Sequence, residues 1–164
     1  MVLSSRFLFI RMEALFMKRV LFICLGNICR SPMAEAIFRD LVKKDGMLDD
    51  YVIDSAGTSG WHEGERPHKG TLQKLEEYHI STYGMPSRPL VKEDASRFDY
   101  FICMDDDNVR QAQKIVGDVR FEKMLDAVSH PTKNVPDPYY TENFQETYAL
   151  CLEGCKQLLR RLEK

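Results

Sequence analysis

The stretch Arg19-Val20-Leu21-Phe22-Ile23-Cys24-Leu25-Gly26-Asn27-Ile28-Cys29-Arg30-Ser31-Pro32 decides the fold. Val20 to Ile23 are β-branched, aliphatic or aromatic, the composition of a strand buried on both faces. Pro32 suits a first helical turn, and Ala34, Ile37, Phe38, Leu41 and Val42 then recur at i, i+3, i+4, i+7 and i+8. Cys24 therefore ends a strand, and a short loop carries the chain from it into an amphipathic helix. Open α/β sheets bind their ligands at such carboxyl ends.

The same alternation continues downstream. Tyr51 to Ser55 reads as a short strand, Lys69 to Tyr78 as a helix and Tyr100 to Met104 as a buried strand. Asn108 to Val116 reads as a helix, Phe121 to Leu125 as an edge strand, and Asn143 to Arg161 as a closing helix. Phe144, Tyr148, Cys151, Leu152, Cys155, Leu158, Leu159 and Leu162 make the apolar stripe of that last helix. Strands alternating with helices predict a mainly parallel, twisted sheet with helices on both faces. At 164 residues the chain has the length of one domain, assigned to 17–164.

Residues 1–16 fit no element of that pattern. The stretch is apolar but interrupted by Arg11 and Glu13, has no basic leader or small-residue cleavage site, and is too short to span a bilayer. It is read as an N-terminal extension, disordered or a start-site artefact, with translation beginning at Met17.

The loop after the first strand is where chemistry is expected. Successive backbone N–H groups that feed a helix can curl into a nest for an oxyanion, and the helix dipole adds positive potential there. A thiol at the same end, beside an Arg, is expected to act as thiolate, which makes Cys24 the candidate nucleophile. Arg30 carries a planar fork that matches two equatorial oxygens of a phosphoryl group, a geometry lysine lacks. Ser31 can donate its hydroxyl to the sulfur, Asn27 suits a left-handed backbone position, and Gly26 allows close approach of the backbone. With Leu25, Ile28 and Cys29 these residues form the expected phosphate-binding loop.

A second feature lies in Val135-Pro136-Asp137-Pro138-Tyr139-Tyr140. Two prolines fix an Asp on a loop beside two aromatic rings. A thiolate that displaces an alkoxide or phenoxide needs a proton delivered to the leaving oxygen. Asp137, kept dry by those rings, is the candidate general acid, and its carboxylate can later take a proton from the hydrolytic water.

Cys24-Leu-Gly-Asn-Ile-Cys-Arg-Ser31 and Asp137-Pro-Tyr-Tyr140 together closely resemble the two signatures of the low-molecular-weight protein tyrosine phosphatases, in the same order. The likeness runs from about Lys18 to the C-terminus and includes Asp54-Ser55-Ala56-Gly57-Thr58 and Phe98-Asp99-Tyr100-Phe101-Ile102-Cys103-Met104-Asp105. The resemblance implies a four-stranded sheet and hydrolysis of protein phosphotyrosine through a phosphocysteine on Cys24, with Arg30 clamping phosphate and Asp137 as acid and base. It also implies that Asn27, Ser31 and Ser55 brace the loop, and that Trp61 stands on the cleft wall where the family places a variable aromatic residue. Trp61, Tyr139 and Tyr140 would then form a slot deep enough for a phenyl phosphate. A His that joins the bracing network in many relatives is matched here by Met85, and His79 falls too early to replace it.

Two other activities share this loop and fold. Relatives that dephosphorylate phosphoarginine carry Thr where this chain has the branched, apolar Ile28, which favours phosphotyrosine. Arsenate reductases need distal resolving cysteines on a mobile segment, whereas Cys103, Cys151 and Cys155 fall in core positions. Cys29 is a candidate redox partner that could capture oxidised Cys24 as a disulfide.

The rest of the composition bounds partners. A net charge of −2 without a basic stretch gives no reason to expect nucleic acid or an anionic membrane surface. Five cysteines without a Cys-x-x-Cys pair suit a reducing cytoplasm. Neither metal nor cofactor is expected, since Arg30, the loop amides and the helix end supply positive potential, and the four histidines show no ligand spacing. The expected partners are phosphotyrosine-containing proteins and oxyanions, acting on a monomer with at most weak self-association.

Overall fold

Lys18–Cys24 forms β1, an inner strand of a four-stranded sheet in a computed structural model that describes residues 17–164. The reading of 1–16 as an extension lies outside the described residues. β2 (Tyr51–Gly57), β3 (Tyr100–Cys103) and β4 (Phe121–Lys123) complete the sheet in the order β2-β1-β3-β4, and every pair is parallel.

Alternation along β1 divides the core. Val20, Phe22 and Cys24 face one layer, made with α1 (Arg30–Lys44), α2 (Lys69–Glu77) and α6 (Phe144–Leu162). Leu21 and Ile23 face the other, made with α3 (Asp94–Arg97) and α4 (Asp106–Val116). Residues 20–23 are fully buried, which explains why the strand reads as an unbroken apolar run. Phe22 meets Phe38 of α1 edge-on with ring centroids 5.6 Å apart. Each such buried ring contributes roughly 1.5–3 kcal/mol by leaving water. Cys103, Cys151 and Cys155 are buried free thiols in these two layers, and the Cys155 Sγ donates to the Ala34 carbonyl at 3.5 Å.

The connectivity positions the site. From β1 the chain passes through α1 to β2 on one side, whereas from β3 it passes through α4 to β4 on the other. The carboxyl ends of β1 and β3 are neighbours whose following loops diverge to opposite faces. That is the switch point at which an open α/β sheet leaves a crevice.

Element limits differ from the sequence reading where side-chain caps decide them. α4 begins at Asp106 because the Asp105 carboxylate accepts from the Asn108 N–H and the Asn108 side chain answers in a capping box. Asn143 caps α6, whose first residue is Phe144. β4 stops at Lys123, whose N–H turns to the Asp126 carboxylate. The short helices α3 and α5 (Pro138–Thr141) had no periodic signal, being one turn long.

Candidate active site

The 24–31 loop is shaped by where its carbonyls go. Cys24 O accepts from Thr58 N–H and Leu25 O from Ser59 N–H, both at 2.9 Å, and Ile28 O accepts from His68 N–H at 2.7 Å. Gly26 O accepts from the Ser87 hydroxyl and Cys29 O from the Thr71 hydroxyl, both at 3.1 Å. With five carbonyls held outward by neighbouring segments, the loop's N–H groups are left for an anion in its centre. Asn27 makes the curl possible, at φ 54°, in the left-handed region. Close approach is demanded less at Gly26 than at Gly57, where a Cβ would stand 2.8 Å from Leu25 O and 3.2 Å from Asn27 Cβ.

Behind the loop runs a buried chain of polar side chains. Cys24 Sγ lies 3.0 Å from Ser31 Oγ, and Asn27 Nδ2 donates to Ser31 Oγ at 2.7 Å and to Ser55 Oγ at 2.9 Å. The Ser55 hydroxyl donates to Glu35 Oε1 at 2.6 Å, and Glu35 Oε2 accepts from Arg39 at 2.6 Å. Arg88 N–H donates to Asn27 Oδ1 at 3.0 Å, so the amide is used at both ends. Burial raises Glu35 above the usual carboxylate range, and Arg39 opposes that rise. Met85 is a buried core residue, so the bracing network here closes on Glu35 and Arg39 instead. His79 sits apart, at the end of α2, with φ 57°.

Arg30 is the most constrained side chain of the site. It is 2 % exposed, and its Nη1 donates to Asp105 Oδ2 at 2.6 Å and to Val135 O at 3.0 Å. Its Nη2 donates to Asp137 Oδ2 at 3.3 Å. Burial works against its charge, but Cys24, Asp137 and Asp105 outweigh that and hold the guanidinium more firmly protonated. At Cys29 burial pushes the thiol up to about 12, the charges of Cys24 and Asp137 add to that, and Arg30 opposes it.

The cleft itself is a cavity of about 210 Å³. Its floor is Cys24, Leu25, Gly26, Ile28, Cys29 and Arg30, and its walls are Trp61, His62, Asp137, Tyr139 and Tyr140. Two segments separated by more than a hundred residues in the sequence are thus brought together, as their chemistry requires. Trp61 is 74 % exposed and Tyr140 73 %, so both rings stand free to meet a substrate. Asn27, Ser31 and Ser55 lie buried behind the floor. Asp137 caps α5, accepting from Tyr139 N–H at 3.0 Å. Its carboxylate is therefore engaged by two donors, Arg30 and that N–H, where the sequence predicted a dry aromatic surround.

Sequence reasoning missed Asp105, Glu35, Arg39 and His62. Asp105 had a signal in its capping box with Asn108, and Glu35 with Arg39 in their i,i+4 spacing on α1. The His62 ring lies over the loop, its Cδ2 3.1 Å from where a Gly26 Cβ would stand, with Nδ1 held 2.6 Å from Glu65 Oε2. Among the described residues no group of three or more His, Cys, Asp or Glu side chains could hold a metal ion, and no helix is long and apolar enough to cross a membrane.

A thiol, an anion-accepting loop, an anchored guanidinium and a carboxyl lining one cleft can transfer a phosphoryl group to sulfur and then to water. Residues 19–164 match the family model described as low molecular weight phosphotyrosine protein phosphatase. The low molecular weight protein-tyrosine-phosphatase YfkJ of Bacillus subtilis is 47 % identical over 149 residues, 88 % of this chain and 96 % of that protein. Its crystal structure aligns with a TM-score of 0.87 over 90 % of this chain and 95 % of that one, at 46 % identity. A protein tyrosine phosphatase from Entamoeba histolytica, crystallised with Hepes in its active site, gives 0.82 at 33 % identity, covering 89 % and 97 %. A Drosophila arginine phosphatase gives 0.81 at 29 % identity, covering 90 % and 99 %.

Proposed function

The chain belongs to the low molecular weight phosphotyrosine protein phosphatases, and from that premise we propose that Cys24, Arg30 and Asp137 carry out its hydrolysis of phosphotyrosine. It is a cysteine-dependent phosphatase whose substrates are phosphoproteins. The observation that carries the assignment is the convergence of Cys24, Arg30 and Asp137 on one cleft floored by the outward-bonded loop.

The substrate's phosphoryl oxygens enter the loop, meet its N–H groups and take over Arg30 Nη2 from Asp137. Cys24 Sγ attacks phosphorus in line with the ester oxygen, the S–P bond forms and the P–O bond to the phenol breaks. Asp137, parted from Arg30 and protonated by the entering phosphate monoanion, gives that proton to the departing oxygen. Water then attacks the phosphocysteine, Asp137 takes its proton, and inorganic phosphate leaves as Cys24 regains its electron pair. The Ser31 hydroxyl donates to Cys24 as charge returns to the sulfur, while Asn27 and Ser55 keep Ser31 in place. Arg30 and the loop amides stabilise the equatorial oxygens throughout, so no metal or cofactor is assigned a role.

Trp61, Tyr139 and Tyr140 are assigned to the aryl group. Ile28 puts branched hydrocarbon into the cleft floor, which suits a phenyl ring and offers no partner to a guanidinium, so phosphotyrosine is favoured over phosphoarginine. The burial of Cys103, Cys151 and Cys155 argues against arsenate reduction by a distal cysteine relay. Cys29 is assigned a protective role: its thiol condenses with a Cys24 sulfenic acid to a disulfide and water, slowly, because burial keeps it protonated. Unchanged recovery by dithiol after peroxide in Cys29→Ser would remove that role. Residues 17–164 are taken as the catalytic domain, working as a cytoplasmic monomer.

Turnover of p-nitrophenyl phosphate and a phosphotyrosyl peptide, with and without a chelator, tests the whole assignment. Wild type turns over in both conditions and Cys24→Ser does not. Full-speed hydrolysis by Cys24→Ser would overturn the assignment.

A further inference from the structure

The cleft wall has a weak point. Tyr139 sits on the single-turn α5, is 54 % exposed, and among the described residues meets two rings, Tyr140 at 5.4 Å between centroids and His68 at 6.2 Å, both edge-on. His68 does not line the cleft and takes no part in the chemistry assigned above. It is nevertheless tied into everything around that wall.

Four connections meet at this one residue. Its N–H donates to Ile28 O at 2.7 Å, fastening it to the anion loop. Its Nδ1 accepts from Gly70 N–H at 3.0 Å, making it the N-cap of α2. One ring face stacks on Phe144, the first residue of α6, at 5.1 Å and 17°. The Tyr139 ring stands at 77° to it, an edge-to-face arrangement at a distance where aromatic pairs attract. The packing is close: a Cβ on Gly70 would come within 2.5 Å of the Phe144 ring, so Gly70 keeps the space in which Phe144 and His68 stack.

We propose that His68 is the positioning residue of the cleft, a fixed ring that holds Tyr139, and with it the Asp137 turn, at a set distance from the anion loop. The ring is held by Gly70 N–H and by the Phe144 stack, and its backbone is fastened to Ile28 O, so it offers Tyr139 a rigid surface that solvent cannot. Asp137 and Tyr139 are coupled by the hydrogen bond from Tyr139 N–H to Asp137 Oδ1, so the aromatic wall and the proton donor move together. This inference rests on the assignment of the cleft to phosphoryl transfer.

The two halves of His68 can be separated. His68→Asn keeps an N-cap acceptor and removes the ring; His68→Phe keeps a ring and removes the acceptor. Phe144→Leu removes the stack and leaves His68 in place. Three quantities are measured: kcat/KM for p-nitrophenyl phosphate and phosphotyrosine, Ki for inorganic phosphate, and Tm. Inorganic phosphate has no aryl group for Tyr139, so its Ki reports the loop and Arg30 without the aryl wall, and it can only tighten where Asp137 recedes from Arg30.

His68→Asn is expected to lose about three- to tenfold in aryl kcat/KM, with phosphate binding no weaker than in wild type and Tm near wild type. His68→Phe is expected to recover most of that kcat/KM while Tm falls by about 2–4 °C from the lost cap. Phe144→Leu should lose aryl kcat/KM with phosphate binding no weaker than in wild type. Wild-type kcat/KM in His68→Asn overturns the proposal, as do kcat/KM and Ki worsening together or His68→Phe as impaired as His68→Asn. Full-speed hydrolysis by Cys24→Ser would instead remove the assignment beneath it.

Discussion

Asp137→Asn isolates proton delivery from everything else Asp137 does. Asparagine keeps the side-chain oxygen that accepts from Tyr139 N–H, so the turn into α5 is preserved. What disappears is the proton given in the substrate complex and, in the free enzyme, the part-buried contact with Arg30 at 3.3 Å. Such a pair contributes about 1 kcal/mol or less, so Tm should stay within roughly 2–4 °C of wild type. The catalytic loss is far larger, because general acid assistance is worth about 10²–10⁴ in rate. It must depend on the leaving group. The tyrosine phenolate, a strong base, needs the proton and kcat/KM should drop by that full range; nitrophenolate leaves readily unprotonated and should lose at least tenfold less. Arg30 Nη2, freed of its competitor, should bind inorganic phosphate more tightly, about fivefold for roughly 1 kcal/mol of screened repulsion removed. The assay is a series of aryl phosphates of graded phenol acidity, with phosphate inhibition measured alongside. An equal loss on every substrate would refute the reasoning, since it would mean that Asp137 acts through position alone.

Further outcomes follow from the loop and its support. Asn27→Ala forces a side chain without local hydrogen bonds to hold φ 54° and removes the bonds to Ser31, Ser55 and Arg88; it should cost about 2–4 kcal/mol in urea unfolding, and Asn27→Gly, free of the strain, less. Gly57→Ala drives a Cβ against Leu25 O and Asn27, so activity and phosphate binding should fall together by at least tenfold while the sheet survives. Glu35→Gln tests burial of that carboxyl through pH. Its native value is raised, so wild type loses stability from Glu35 as pH climbs from about 4 through that value. Glutamine has nothing to ionise, and Tm of the variant minus that of wild type should increase from pH 4 to 7; a decreasing difference would refute the sign.

What was legible in the sequence was whatever repeats or is local. β1 and α1 announced themselves through an apolar run and a 3.6-residue stripe, and the loop between them followed from its Gly, Asn, Arg and Ser. Asp137 was legible because two prolines isolate it. Asp105, Glu35 and His68 were hidden for a shared reason: each acts through a partner twenty or more residues away. Asp105 meets Arg30 across the crevice, Glu35 meets Ser55 across the face of the sheet, and His68 meets Tyr139 and Phe144 from the far end of the chain. Their polarity was visible, but a Glu on a helix or a His before one reads as a solvated residue until the topology folds its partner over it. The Asp137 environment was misjudged for the same reason. Neighbouring tyrosines were visible in the sequence, and the Arg30 donor that reaches it through space was not.

The topology also explains why Arg30 needs so many partners. It begins α1, which leaves β1 toward one face of the sheet, while Asp105 begins the path to α4 on the other. An arginine at this divergence could turn several ways in the crevice. Asp105 and Val135 O fix Nη1 from the β3 side, so the guanidinium plane is set before any substrate arrives and only Nη2 is left to exchange Asp137 for phosphate. The cost is a buried cation with two carboxylates that repel the very dianion it must bind. In the mechanism we propose, Asp137 leaves when phosphate enters, whereas Asp105 stays because it holds the fork in plane. On that proposal, a rigid anchor and a yielding one on the two nitrogens of the same guanidinium let one residue both orient the phosphoryl group and release the proton donor to the ester oxygen.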